Sequence, residues 1–318
     1  MAIWTQYFFP VFNAVFIILM VALLSGILVR KNILVDSHIE GLSHILVLIL
    51  LPCLSFSKII QYFKPEESEY WWLLPITALA MIGLGMLISG IFYARKLNVN
   101  KKFIAISSFM NANYMVLPIG QLAFADQFDQ FAAYTFLFVL GVNPALWSVG
   151  KYLITDRTEQ KFSIKQLMTP PFSAIILAVV LVLLGLHPYI PHLVIESIDF
   201  IGQAAVPAAT LVLGATIGSV SLRKLPPISD ILKVISTKLF FLPLITIIIL
   251  KGTHILDSNP LLADLIVIEA AVAPASNLVV QVRKYGGDGQ NVGYLMFISY
   301  VVCLLTIPAW FSLWKLLN

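Results

Sequence analysis

The chain has 318 residues, of which 59% are hydrophobic and only 11% charged, and its formal net charge is +4. A soluble domain carries roughly 25% charged residues, so this composition cannot cover a water-facing surface and excludes an ordinary soluble protein. Lipid must be the main solvent, and apolar segments recur from end to end.

Taken in chain order, ten stretches read as membrane spans, for which about 20 apolar residues are needed. They are residues 8–29, 41–61, 71–94, 103–124, 131–154, 171–187, 198–219, 232–250, 261–282 and 291–315. No cleavable leader is expected, because residues 1–29 hold no Lys or Arg and the charges Arg30 and Lys31 follow the apolar run. A polar stretch, TDRTEQKFSIKQLMTPP, separates the fifth span from the sixth. It divides the chain into a first five-helix repeat, 1–155, a cytoplasmic linker, 156–170, and a second repeat, 171–318. An odd number of spans per half makes the second copy enter from the opposite face. The expected fold class is therefore an all-α integral membrane protein, with ten transmembrane helices in two inverted five-helix repeats.

Basic residues set the orientation. Loops after the odd-numbered spans hold Arg30, Lys31, Arg95, Lys96, Lys101, Lys102, Lys151, Arg157, Lys161, Lys165, Arg223, Lys224, Lys233, Arg283 and Lys284, against Lys58, Lys64, Lys251 and Lys315 on the other face. That excess places the first set in the cytoplasm and both termini outside. Trp4, Trp71, Trp72, Trp310 and Trp314 then fall at the outer interface, where indole rings favour the headgroup zone.

Pro52 and Pro118 lie inside apolar runs, and each has a counterpart about half a chain on, Pro207 and Pro274. Proline removes a backbone donor and breaks the helical ladder, and matched breaks in two halves are the sequence sign of a secondary transporter with its site where they meet. The fourth span, FIAISSFMNANYMVLPIGQLAF, holds Asn111, Asn113 and Tyr114 before Pro118. A break near Pro118 would bare the first amides of the following half-helix, whose positive dipole end favours an anion. In the ninth span Pro274 is followed by Ser276, Asn277 and Gln281, while Ala270, Ala271, Ala273 and Ala275 permit close backbone approach. An ordinary kink glued by polar side chains is the alternative. Pro75, Pro144, Pro243 and Pro308 read as kinks.

At these residues the chain resembles the auxin efflux carrier family, which includes plant PIN carriers and bacterial malonate and malate permease-like proteins. NANYMVLPI (Asn111 to Ile119) is similar to that family's N-x-G-(F/Y)-M-G-(I/L)-P-(L/I), with Asn113 and Val116 in place of the two glycines. AVAP (Ala271 to Pro274), YGGD (Tyr285 to Asp288), TIPAW (Thr306 to Trp310), LPCLSF and VPAATLVLGATIG match in order along the chain. The resemblance implies a scaffold of spans one, two, six and seven, and a moving part in which the fourth and ninth helices cross at their prolines near mid-membrane. It also implies a small organic anion, carboxylates among them, as the substrate beside that crossover, and a bacterial inner membrane as the setting because the central linker is short. A homodimer follows by analogy only.

The remaining charges are read individually. Glu269, about 12 Å into the ninth span, is a candidate for proton coupling, since burial disfavours its charged form. Lining an outer vestibule is its blander role. Lys238 and Lys58 are expected to snorkel to interfaces, His44 to pack, and Asp126, Asp129, Asp199 and Asp264 to be solvated at span ends. Cys53 and Cys303 read as small packing residues. No metal spacing, nucleophile motif or P-loop is present, so no enzyme, cofactor or nucleic-acid partner is expected. The coupling ion, proton or sodium, stays open. The competing readings are a cation antiporter, which needs carboxylates at the crossing, and a membrane sensor that binds without transport.

Overall fold

Backbone inside hydrocarbon must satisfy its own hydrogen bonds, which leaves helices as the element available to segments that close no barrel. The computed structural model describes residues 2–155, 164–220, 225–254 and 258–318, and those residues form helices joined by turns, with one isolated β-bridge. α1 (Ala2–Arg30) is followed by α2 (Asp36–Ile45), which runs through a widened π-helical turn, Leu46–Leu50, into α3 (Leu51–Tyr62). α4 (Leu73–Phe92) leads to an interrupted pair, α5 (Leu97–Ser108) and α6 (Val116–Ala123). α7 (Phe128–Ala145) continues through a second π turn, Leu146–Gly150, into α8 (Lys151–Ile154). Next come α9 (Pro170–Leu183), α10 (His192–Gly202), α11 (Ala205–Gly218) and α12 (Ile228–Ile235), the last joined by a π turn at Ser236–Phe241 to α13 (Leu242–Thr253). A second interrupted pair, α14 (Pro260–Ala271) and α15 (Asn277–Tyr285), precedes α16 (Gly289–Leu317).

Among the described residues, seven helical runs are long and apolar enough to cross a membrane: Gln6–Arg30, Asp36–Tyr62, Leu73–Phe92, Ala125–Ile154, His192–Gly218, Ile228–Thr253 and Gly289–Leu317. α9 is apolar but has only 14 residues. It ends in a Schellman motif, with Gly185 in the left-handed region (φ +67°) and the Leu186 amide bonded to Leu181 O. Arg157, Lys161, Arg223 and Lys224 of the basic loops, and part of the linker 156–170, lie outside the described residues.

The prolines sit where a missing amide is tolerated. Pro118 and Pro207 lie in the first turn of helices that follow a break, where the amides lack intrahelical acceptors anyway. Pro52 and Pro243 each follow a π turn, whose wider bonds (Leu51 N to Leu46 O, Leu242 N to Thr237 O) shift the ladder just ahead of the missing amide. Pro243 cannot bond Leu239 O one turn back, and the indole Nε1 of Trp310 donates to that carbonyl at 2.8 Å. Pro144 lies just ahead of the π turn in the α7 run, and Pro10 and Pro308 lie inside intact helices.

α14 is the most enclosed helix, buried from Leu261 to Ala271, and α7 is nearly so. The peripheral helices carry exposed Phe16, Leu23, Leu79, Leu193, Phe200 and Ile248, a band that suits lipid rather than water. α1 and α11 meet backbone to backbone. A Cβ on Gly214 would lie 2.1 Å from Ala22 O, and one on Gly218 would lie 2.5 Å from Gly26 Cα. Ser25 Oγ closes the seam on Leu211 O at 2.7 Å. Small residues four apart permit such an approach, and the contact is dispersion and polar bonding, since lipid offers no hydrophobic drive.

Several span-end charges are not solvated as expected. Lys58 is buried, with Nζ 2.8 Å from both Asp129 and Asp199, and Ser57 and Gln203 also donate to Asp199. Asp264, only 5% exposed, accepts from Lys315 at 2.6 Å and Trp314 Nε1 at 2.9 Å. Asp264 and, in part, Asp199 are covered by neighbouring helices and take a cation from another helix, whereas Asp129 keeps 40% of its side chain exposed while pairing with the same Lys58. Asp126 and His44 are exposed. The α1–α11 seam yields a controlled test. Gly214→Ala should destabilise the purified protein by roughly 1–3 kcal/mol through overpacking. Gly83→Ala, whose Cβ meets nothing within 4 Å, should be neutral or stabilising, with thermal unfolding in detergent as the measurement.

Candidate functional site

The two interrupted pairs break for different local reasons. Between α5 and α6, Asn111 Oδ1 accepts from the Tyr114 amide at 3.2 Å, the kind of side-chain competition by which asparagine unwinds a helix. Between α14 and α15, Pro274 disfavours helical geometry at Ala273 and has no amide to offer. The unwound strands meet side by side. Asn111 N donates to Ala273 O at 3.0 Å and Ala275 N to Phe109 O at 3.1 Å, so Met110 and Pro274 face each other in an antiparallel bridge. In this kind of pair only the flanking residues donate, which is why a proline fits at its centre.

The crossing therefore pairs Pro274 with Met110, and not with Pro118 as the matched prolines implied. Pro118 lies in the first turn of α6 and is buried there, beyond the crossing. Tyr300 of α16 joins the two strands: its hydroxyl accepts from Asn111 Nδ2 and donates to Pro274 O at 3.2 Å.

Beside the crossing is a cavity of about 40 Å³. Asn111, Asn113, Tyr114, Asn143 and Asn277 line it together with Ala112 and Ala275. Asn277 is the first residue of α15, and Tyr114 lies two residues before the first residue of α6, so both half-helices begin close to the cavity. Four carboxamides and two helix beginnings make a donor-rich site without a formal cation, a chemistry suited to an anion. Its size holds a few waters at most.

The other sequence candidates do not line this cavity. Ser276 is buried between the crossing and α15. Gln281 is fully buried and braces the π turn after α7, donating to Leu146 O at 3.2 Å. Glu269 lies in the last turn of α14, before the break. It is fully buried, and neither carboxylate oxygen has a hydrogen-bond partner. Lys238 is not at an interface: it is fully buried and donates to Ala270 O at 3.2 Å, because the π turn that contains it faces the end of α14. Tyr300 carried no sequence signal. Asn143, the residue before Pro144, donates to Leu167 O at 2.9 Å.

YGGD closes the region structurally. Gly286 and Gly287 adopt φ +87° and +138°, and a Cβ on Gly287 would lie 2.7 Å from Ile154 O. Asp288 caps α16 through the Asn291 amide and pairs with Lys102 of α5. Partial burial works to raise the Asp288 carboxyl, but the bonds from Lys102 and Asn291 outweigh it and hold the group below its ordinary value.

Tyr300→Phe should leave Pro274 O and Asn111 Nδ2 without their shared partner at a cost of about 1–3 kcal/mol. A melting temperature equal to that of the unmodified protein would show that the hydroxyl does not brace the crossing.

Comparison with known proteins adds the following. The sequence matches the family described as membrane transport protein over residues 10–164 and 153–311. It is similar to Protein PIN-LIKES 1 of Arabidopsis thaliana, 24% identical over 188 residues, which is 53% of this chain and 38% of that protein. It is also similar to Protein PIN-LIKES 3 of the same plant, 25% identical over 170 residues, 49% of this chain and 43% of the relative. The matched stretches thus span about two fifths of these relatives' own length.

Proposed function

The chain belongs to the auxin efflux carrier family of membrane transport proteins, and from that premise we propose that it is a secondary carrier of small organic anions, with carboxylates as the substrate class. The observation that carries this reading is the antiparallel pairing of the two unwound strands, with both half-helix beginnings and Asn111, Asn113 and Asn277 around one cavity. Discontinuous helices whose N-terminal ends point into a protein-lined cavity are how many carriers hold an anionic group in the bilayer's interior.

In this proposal the seven long spans, α9 and the two interrupted pairs make ten crossings arranged as inverted halves, 1–155 and 171–318. α1, the α2–α3 run, α9 and the α10–α11 run form the scaffold, and the remaining helices carry the crossing past it. The substrate carboxylate sits against Asn111, Asn113, Tyr114 and Asn277. Pro274, Ser276 and Gln281 hold the second strand and α15 in register, and Pro118 starts α6 behind the first strand. The cavity of about 40 Å³ is too tight for most carboxylates, so binding requires it to widen as the crossing moves. Glu269, buried without a hydrogen-bond partner, is the group that takes up and releases a proton during the cycle. The excess of Lys and Arg after the odd-numbered spans supports cytoplasmic placement of those loops, with both termini outside a bacterial inner membrane. A homodimer through the scaffold completes the proposal.

Two variants test it. In proteoliposomes, Asn111→Ala should reduce carboxylate flux by about tenfold or more, the loss of roughly one charge-assisted bond plus strand support. Flux at the unmodified rate would remove the cavity from consideration as the substrate site. Glu269→Gln should abolish the dependence of flux on an imposed pH gradient, and a gradient response unchanged in that variant would exclude Glu269 as the proton carrier.

A further inference from the structure

α14 stops in the interior of the protein, and its last carbonyls lose the amides that would have followed. The Val272 amide still reaches back to Ile268 O and the Ala275 amide is committed to Phe109 O, while Pro274 has no amide. The end of such a helix carries about half a negative charge. In water it would be solvated. Here it is met from outside the helix: Lys238 Nζ donates to Ala270 O at 3.2 Å, and Cys303 Sγ approaches Ala271 O at 3.7 Å.

The side chain of Lys238 is fully buried, and among the described residues no carboxylate lies within ion-pair distance of Nζ. Glu269 is nearby in sequence to the capped carbonyl, but its oxygens receive no hydrogen bond. A buried ammonium is very costly unless something stabilises it. Glu269 acts on this one electrostatically from beyond ion-pair distance, and the direct hydrogen bond the ammonium makes is to the broken helix end. Its position depends on the π turn Ser236–Phe241, which inserts an extra residue into the α12–α13 run. Among the described residues no cation bonds the end of α5 in the same way. α5 ends at Ser107 and Ser108, and Ser108 Oγ bonds Ile104 O within its own helix.

Unwound carbonyls and half-helix C-terminal ends are where carriers of this general construction coordinate a sodium ion. We propose that Lys238 is the resident cation of the crossing: its tethered ammonium occupies the position of a coupling metal ion at the end of α14, so the conformational cycle runs without sodium. This rests on the carrier reading for its transport consequence, but the charge assignment itself is a matter of stability and can be tested apart from flux.

The test uses the purified full chain, with Lys238→Ala and the near-isosteric neutral Lys238→Met, melted at equal ionic strength in sodium chloride, choline chloride and ethylammonium chloride. The unmodified protein should melt identically in sodium and choline. Both variants should melt lower by roughly 5 °C, and ethylammonium, which supplies the missing amine, should restore part of the loss in Lys238→Ala and do nothing for the unmodified chain. In proteoliposomes, flux of the carboxylate the protein handles should be equal in sodium and choline and should fall about tenfold in Lys238→Met. Specific stabilisation or activation of the unmodified protein by sodium overturns the proposal, and so does a Lys238→Met protein that melts and transports normally. If neither variant can be purified, the sodium and choline comparison on the unmodified chain still decides it. Absence of flux for any carboxylate, with the melting pattern as expected, would count against the carrier reading and leave Lys238's placement standing.

Discussion

Two exchanged backbone hydrogen bonds, Asn111 N to Ala273 O and Ala275 N to Phe109 O, hold the centre of this molecule together. They exist because a helix interrupted in a dry interior leaves amides and carbonyls that water cannot reach, and each such group costs several kcal/mol if left alone. Two interruptions placed against each other partly solve one another's problem. The rest of the interior completes the solution: Tyr300 bridges the strands, Lys238 and Cys303 meet the end of α14, and Gln281 donates to the π turn after α7. Substitution at one of these groups is therefore felt across the crossing.

The same constraint explains how charge is distributed. Near span ends, carboxylates are matched to lysines of other helices, as in Lys58 with Asp129 and Asp199 and in Lys315 with Asp264. These pairs tie α3 to α7 and α10, and α14 to α16. Around the cavity the polar groups are neutral carboxamides instead. In the proposed carrier, such amides would donate to a charged guest without requiring a counter-ion when it leaves, whereas a permanent cation there would have to be compensated in the empty state.

Much of the fold was legible in the sequence. Apolar run length located the long spans, and the charge deficit named the solvent. The interruption after Ala271 was legible because Pro274 cannot continue a helix. The interruption after Ser108 was legible only approximately, since Pro118 marks where α6 resumes and Asn111 does the unwinding. Among the candidate site residues, Asn111, Asn113, Tyr114 and Asn277 were drawn together by the fold around one cavity, while Gln281 and Glu269 were found elsewhere. Tyr300 could not be picked out, because one tyrosine in an apolar span looks the same whether it faces lipid or a helix break.

What the sequence determined alone were properties that depend on neighbours a few residues apart: solvent class, element type, and the places where backbone cannot stay helical. Tertiary structure alone decided which carbonyl each stranded donor would find, that Met110 lies opposite Pro274, and that Lys238 turns inward. Those outcomes depend on groups far apart in the chain, and in a dry interior the partner is set by which helices pack together, a fact that no local pattern encodes.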